Sequence, residues 1–288
     1  MMKTLFFLAL NILICLTINA QNTDNFDKIK TDYFKKYSSY DTSNVYLIID
    51  KGEYEFCYSD KYLGAYDENF DLKLNRHFRL KVNKASNIKQ YEFPLFKGKG
   101  IIKESDFVIY HITSYNIENN KIVKNNISKD NIKYIKKDST ITLDLNSLNL
   151  MDNSIIDIEF NICNLPKKQI SWNLDRSCFI INSQLTARIP QIYMYDFTLF
   201  NPNKCKVLED TTMSYGTTIG YRYNNSKLMS RAFYNAYKQK NPSAPMANEV
   251  ECKNKQYSFN ANNIMPFNND IKTEIKIDFI LLNIEPIN

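Results

Sequence analysis

The sequence has 288 residues, 44% of them apolar and 24% charged, with a formal net charge of +6. That is enough chain to bury a substantial core as one large domain or two smaller ones. The positive excess is mild and scattered, which excludes an extended electrostatic groove for nucleic acid.

The first twenty residues have the layout of a secretory signal peptide. Met1-Met2-Lys3 is a short basic start, Leu5 to Thr17 is apolar apart from Asn11, and small Ala20 precedes Gln21. The run is short of the about 20 apolar residues that a membrane span needs. An uncleaved N-terminal anchor is the alternative. A lipoprotein signal at Cys15 is disfavoured by the large Ile14 before it. No later segment reads as a span. The expectation is therefore an exported protein, periplasmic or associated with the outer membrane or cell surface, with residues 21–288 as its single folded domain.

Residues 22–39 carry Phe26, Ile29, Tyr33 and Tyr37 at helical spacing. Ser43 to Asp50 is a buried-strand pattern, and Asp50-Lys51-Gly52-Glu53 reads as a turn, with Gly52 where a positive φ is cheap. Tyr54, Phe56 and Tyr58 alternate on the return strand. Phe70, Leu72 and Leu74 alternate next, followed after a shift by Phe78, Leu80 and Val82. Residues 84–100, with Pro94 and two glycines, read as a loop or bulge.

Phe107 to Ile127 reads as a hairpin turning at Glu118-Asn119-Asn120-Lys121, since asparagine tolerates the left-handed conformation of a tight primed turn. Strict alternation puts Val108, Tyr110, Ile112, Ser114 and Asn116 on one face. It puts Phe107, Ile109, His111, Thr113, Tyr115 and Ile117 on the other. Ser154 to Leu165 is nearly a continuous strand, with Ile156, Ile158, Phe160 and Ile162 inward. Asp157, Glu159 and Asn161 alternate with them on a face expected to meet water. Trp172 and Leu174 lead into a strand ending at Pro190. Residues 191–200 and 215–223 also read as strands. Ser226 to Lys240 is the best helix, with a stripe of Leu228, Met229, Ala232, Phe233 and Ala236, expected to pack on the sheet. Residues 242–255 read as a loop, and 257–261 and 271–284 as closing strands. Many strands with few helices predict an all-β, mainly antiparallel fold: a large β-sandwich, in one or two sub-layers, with a few peripheral helices.

Candidate chemistry is sparse. The chain has two histidines, His77 and His111, so a triad or a histidine-rich metal site has little to draw on. His111 fits a satisfied sheet residue and His77, between Arg76 and Arg79, a surface group. Asp157 and Glu159 fit a solvated face. No P-loop, GxGxxG, GxSxG or HExxH pattern occurs. Leaving out Cys15, the cysteines are Cys57, Cys163, Cys178, Cys205 and Cys252, an odd set with no CxxC pair. Cys163 and Cys178 fit buried apolar positions. Cys205 and Cys252, in polar surroundings, are the preferred disulfide, which an oxidising compartment permits. The residues identify no catalytic, cofactor or metal site. They leave open a glycan- or peptide-binding surface of exposed tyrosines with Trp172, and a cysteine-dependent acyl transferase or hydrolase using His111 or His77.

Several segments then carry a family resemblance: Tyr115, Asn116, Glu118, Asn119, Lys121 and Ile122 in the hairpin, Ser154-Ile155-Ile156, Trp172, Ile189-Pro190, and Tyr257 to Phe267 with Met265 inserted. In this order they resemble the domain of unknown function that forms the N-terminal part of exported Bacteroidetes transglutaminase-like proteins. Asn120 and Asn153 stand where that family has glycine, and its Asp-Ile-Pro after the tryptophan strand is missing around Cys178. The resemblance implies a sandwich-like β domain. It also implies a Cys–His–Asp transglutaminase-like domain following it, which this sequence of 288 residues does not include. No catalytic residue is carried over. The expected role is a non-enzymatic binding or scaffolding module at the cell envelope, working beside a separate transglutaminase-like partner, with no nucleic acid and no cofactor.

Overall fold

The computed structural model describes residues 29, 34, 45–58, 70–85, 92–97, 103–137, 140–148, 150–167, 169–174, 178–190, 193–200, 205–222, 231–264 and 274–281. The signal peptide expected at 1–20 lies outside these residues, as does nearly all of the helix expected at 22–39. The described chain is all-β. Fourteen strands are β1 (Val45–Tyr58), β2 (Phe70–Val82), β3 (Glu92–Lys97), β4 (Phe107–Glu118), β5 (Lys121–Asn126), β6 (Tyr134–Lys137), β7 (Thr140–Asp144), β8 (Ile155–Leu165), β9 (Gln169–Asn173), β10 (Ile180–Pro190), β11 (Tyr193–Phe200), β12 (Cys205–Arg222), β13 (Asn248–Ile264) and β14 (Glu274–Leu281). Among the described residues the one full helix, α1 (Arg231–Lys240), lies between β12 and β13 in the chain and packs on β12.

An eight-stranded sheet runs in the order β12-β13-β10-β1-β2-β8-β4-β5, and two three-stranded sheets run β11-β14-β9 and β3-β7-β6. Only β1 and β10 pair in parallel among the described strands; the other described pairings are antiparallel. Both small sheets send side chains into one apolar core against the inner face of the large sheet. Phe93, Ile141 and Leu143 come from one, and Ile170, Trp172, Ile275 and Ile277 from the other. The result is a sandwich of one long layer backed by two short ones.

The hairpin forms as its sequence dictates. Asn119 and Asn120 have φ of 49° and 61°, and Glu118 pairs with Lys121, the geometry of a two-residue primed turn. Asn153 also has φ of 61°. The two positions where the resembling family carries glycine are thus left-handed here, held by asparagine.

Elsewhere the strands depart from simple alternation. Residues 50–53 do not turn: β1 runs straight through Gly52. The glycine is there because Trp172 occupies the space of a side chain, which is the other reason for glycine in a strand. No shift occurs in β2 between Leu74 and Phe78. Arg76 takes the intervening inward position and is buried. Bulges interrupt β1 between Leu47 and Ile49, and β4 between Ile109 and His111. Each moves the following residues to the opposite face. Phe107 and Ile109 therefore share the core with Ile112, and the two-face assignment for β4 fails at Tyr110. Residues 92–97 form β3, with a bulge after Pro94, and residues 248–255 belong to β13 rather than a loop. In α1 Tyr234 is buried and its hydroxyl accepts from the Ala247 amide, while Ala236 is exposed; the Ala232 and Phe233 side chains lie outside the described ones. Leu228 and Met229 lie outside the described residues.

At the centre of the sandwich Trp172 ties three strands together. Its Nε1 donates to Ser183 Oγ at 3.0 Å, and its ring meets Tyr54 edge-on at 6.3 Å. The Arg76 guanidinium lies 3.9 Å from its ring centroid and 4.4 Å from that of Phe78. Arg76 also donates to both oxygens of Asp50, at 2.9 and 2.8 Å, and to the Leu95 carbonyl of β3 at 3.4 Å. One buried cation thus joins the large sheet to both small ones. Tyr54, buried beside this group, has its phenol pushed far up by desolvation, which outweighs the opposing charge of Arg76.

Candidate functional site

The chemistry-bearing residues gather on the outer face of the large sheet, because register there overrides sequence distance. In β2 the outward positions are odd-numbered: Asn75, His77, Arg79. In β8 they are Asp157, Glu159 and Asn161. The ladder sets His77 opposite Glu159, Arg79 opposite Asp157 and Asn75 opposite Asn161. From the other side, His111 stands opposite Glu159 and Val108 opposite Asn161. The two histidines therefore flank one carboxylate across three adjacent strands.

Asp157 is the buried hub. Arg79 donates to it from Nε at 2.7 Å and from Nη2 at 2.9 Å. His77 Nε2 is 3.3 Å from the same carboxylate, and the Tyr115 hydroxyl is hydrogen-bonded to it. Burial alone would push the Asp157 carboxyl up. The Arg79 hydrogen bonds and the nearby His77 imidazole outweigh it and hold the carboxyl below the usual carboxylate range. Tyr115 is pushed the other way, by desolvation first and then by the charge of Asp157. The expected solvated face of β8 is thus an ion-paired, largely covered one at Asp157. Tyr115, beside Asp157, also packs against a second apolar cluster of Phe34, Tyr46, Ile48, Ile49, Ile155 and Phe179. His77 is correspondingly no simple surface group.

Beyond this hub the face opens to solvent. His111 Nε2 lies 3.7 Å from Glu159 Oε1, both side chains roughly half exposed. The bulge in β4 turns Tyr110 outward, where it is 48% exposed beside Val108. Asn161, only 6% exposed, donates from Nδ2 to the Tyr110 hydroxyl, and its Oδ1 is buried with no partner. Tyr110 and Asn161 were missed by sequence reasoning. No local signal marks a bulge, and Asn161 becomes notable only when the ladder places it.

The cysteines do not join this face as a catalytic set. Cys178 is in the inner core, so its expected burial holds. Cys163 and Cys57 are half-buried free thiols. Cys163 is four residues along β8 from Glu159, about 13 Å from the histidine row. Burial pushes the Cys57 thiol up, with Glu55 adding to it. The expected pair Cys205 and Cys252 is not brought together along the backbone. Cys205 stands opposite Ala261 and Cys252 opposite Thr217, about 30 Å apart along the ladder, whereas a disulfide needs Cα atoms within about 7 Å. Trp172, expected on an exposed aromatic surface, is 1% exposed in the core, which removes it from any binding surface. Among the described residues no three His, Cys, Asp or Glu side chains stand close enough to hold a metal ion, and no helix is long and apolar enough to cross a membrane.

No family model matches the chain, and no curated protein does. Among solved structures it is similar to a "putative protease" from Parabacteroides distasonis ATCC 8503, with a TM-score of 0.49 and 8% sequence identity. The match covers 82% of this chain and 40% of that one, so the chain spans well under half the length of that protein. A likeness at this level carries no argument about activity.

Proposed function

We propose that this chain is an exported, non-catalytic β-sandwich module with a binding or scaffolding role at the cell envelope. The observation that carries this reading is the commitment of both histidines to carboxylates of one sheet face, His77 to Asp157 and His111 to Glu159. A cysteine-dependent acyl transferase or hydrolase needs instead a thiol within hydrogen-bond reach of an imidazole. The resemblance in the Tyr115–Ile122 hairpin and around Trp172 points to a separately encoded transglutaminase-like enzyme as the partner class. A second reading, a glycan- or peptide-binding module, is favoured by Tyr110 at 48% exposure rather than by Trp172.

The test is affinity capture from envelope extracts with the tagged chain from Gln21 onward as bait. The reading expects a specific envelope protein or glycan retained through a salt wash. An eluate holding neither contradicts it.

A further inference from the structure

We propose that the β4 bulge and the neighbouring strand β8 form a saccharide-binding site, with Tyr110 as its aromatic platform and Asn161, Glu159 and His111 as its hydrogen-bonding groups. The inference rests on the binding-module reading and names its ligand class. Three observations converge on it. First, the bulge puts Tyr110 and His111, consecutive residues, both on the solvent side of the sheet. Bulges re-aim side chains in this way beside functional sites.

Second, Tyr110 is fixed although it is exposed. Its hydroxyl oxygen accepts from Asn161 Nδ2, so its own O–H proton is left to donate outward. The ring sits on β4 where that strand pairs with β8 and is not yet covered by β5, and an exposed aromatic face with one polar end suits an amphipathic ring ligand. Third, Asn161 Oδ1 is a buried acceptor without a partner, in a side chain that is 6% exposed. Leaving such an acceptor unpaired costs about 1–3 kcal/mol, and it calls for an explanation. Reversing the amide would let it accept from Tyr110, but would then strand Nδ2 instead. Either way one arm of the amide is free beside the tyrosine.

The rim decides the ligand class. Glu159 offers acceptors and His111 a donor or acceptor, 3.7 Å apart, with His77 the next residue in the row. A carboxylate and an imidazole meet here, so the rim offers acceptors and donors side by side. Vicinal hydroxyls, each able to donate and accept, match a carboxylate, an imidazole and a free amide arm together. The apolar face of a pyranose ring matches Tyr110 and Val108. A neutral saccharide meets both demands.

The experiment titrates the folded mature chain with neutral di- to hexasaccharides of glucose, galactose, mannose and N-acetylglucosamine, read by calorimetry. At least one series is expected to bind. Tyr110→Ala should weaken it at least tenfold and Glu159→Gln severalfold, while Met246→Ser, on a distant exposed loop, leaves it unchanged. Glu159 is half exposed, so Glu159→Gln should keep the wild-type melting temperature. Tyr110→Ala also strands Asn161 Nδ2 and should lower it, so its binding is read at a temperature where circular dichroism shows the variant folded. The proposal is overturned if no saccharide binds the folded wild type, or if binding survives both substitutions. If no saccharide binds the wild type while affinity capture returns an envelope protein, the module reading stands and this site falls.

Discussion

The Trp172 indole lies so close over Gly52 that a Cβ on residue 52 would stand 2.2 Å from its Cη2. The contact holds a short sheet onto the long one, and it sets the sharpest requirement on the sequence. Gly52→Ala is expected to destabilise by about 3 kcal/mol, the upper end for overpacking, measured by urea unfolding. Trp172→Ala should cost about 3–5 kcal/mol through the cavity it leaves. The double variant Gly52→Ala/Trp172→Leu should cost less than the sum of Gly52→Ala and Trp172→Leu, by about 1–3 kcal/mol. Strict additivity would refute the contact.

Asp50 and Arg76 are a buried, two-pronged ion pair. Removing one partner strands the other, so Arg76→Ala is expected to cost about 3–5 kcal/mol. Replacing both, as Asp50→Leu with Arg76→Met, should recover most of that loss, because apolar groups of similar volume remove the desolvation cost altogether. Chemical denaturation of the three variants measures this. A double variant worse than Arg76→Ala would contradict it.

Asp157 makes stability pH-dependent with a defined sign. Its carboxyl is held below the ordinary value in the folded state, against about 3.9 when unfolded. The native state therefore holds fewer protons on this group in that range. Its contribution is complete above about pH 4 and is lost as pH falls through the lowered folded value. A carbon-detected NMR titration of the Asp157 carboxyl should find its midpoint below that of an exposed aspartate. A midpoint at or above the ordinary value would contradict the Arg79 and His77 geometry.

Asn120 and Asn153, each with φ of 61°, should both accept glycine with changes within about 0.5 kcal/mol. Asn120→Val should lose about 1–2 kcal/mol, since a side chain branched at Cβ clashes in the left-handed region. Thermal unfolding of the purified variants measures both effects.

The strands themselves were legible. Phe70 to Val82, Phe107 to Glu118 and Ser154 to Leu165 announce their ends through turn residues, and the run from Ile156 to Ile162 announces its inward face through alternating apolar side chains. What hid was whatever breaks a period of two. The bulges before Ile49 and His111 reverse the facing of everything after them, and no residue type marks them. Gly52 looked like a turn because its reason, Trp172, lies 120 positions away. The outer-face site was illegible for the same cause. His77, His111 and Glu159 become neighbours only through the ladder, and Asp157 and Glu159 alternate like solvated residues although one of them is buried. Cys205 and Cys252 were grouped by polar context, which carries no information on register.

The most direct measurement is a backbone NMR shift map of the chain from Gln21 onward titrated with the saccharide series that binds most tightly. The account predicts perturbations gathered on Val108, Tyr110, His111, Glu159 and Asn161, with Trp172 and Gly52 silent. Perturbations confined to another face, or none at saturating saccharide, would contradict it.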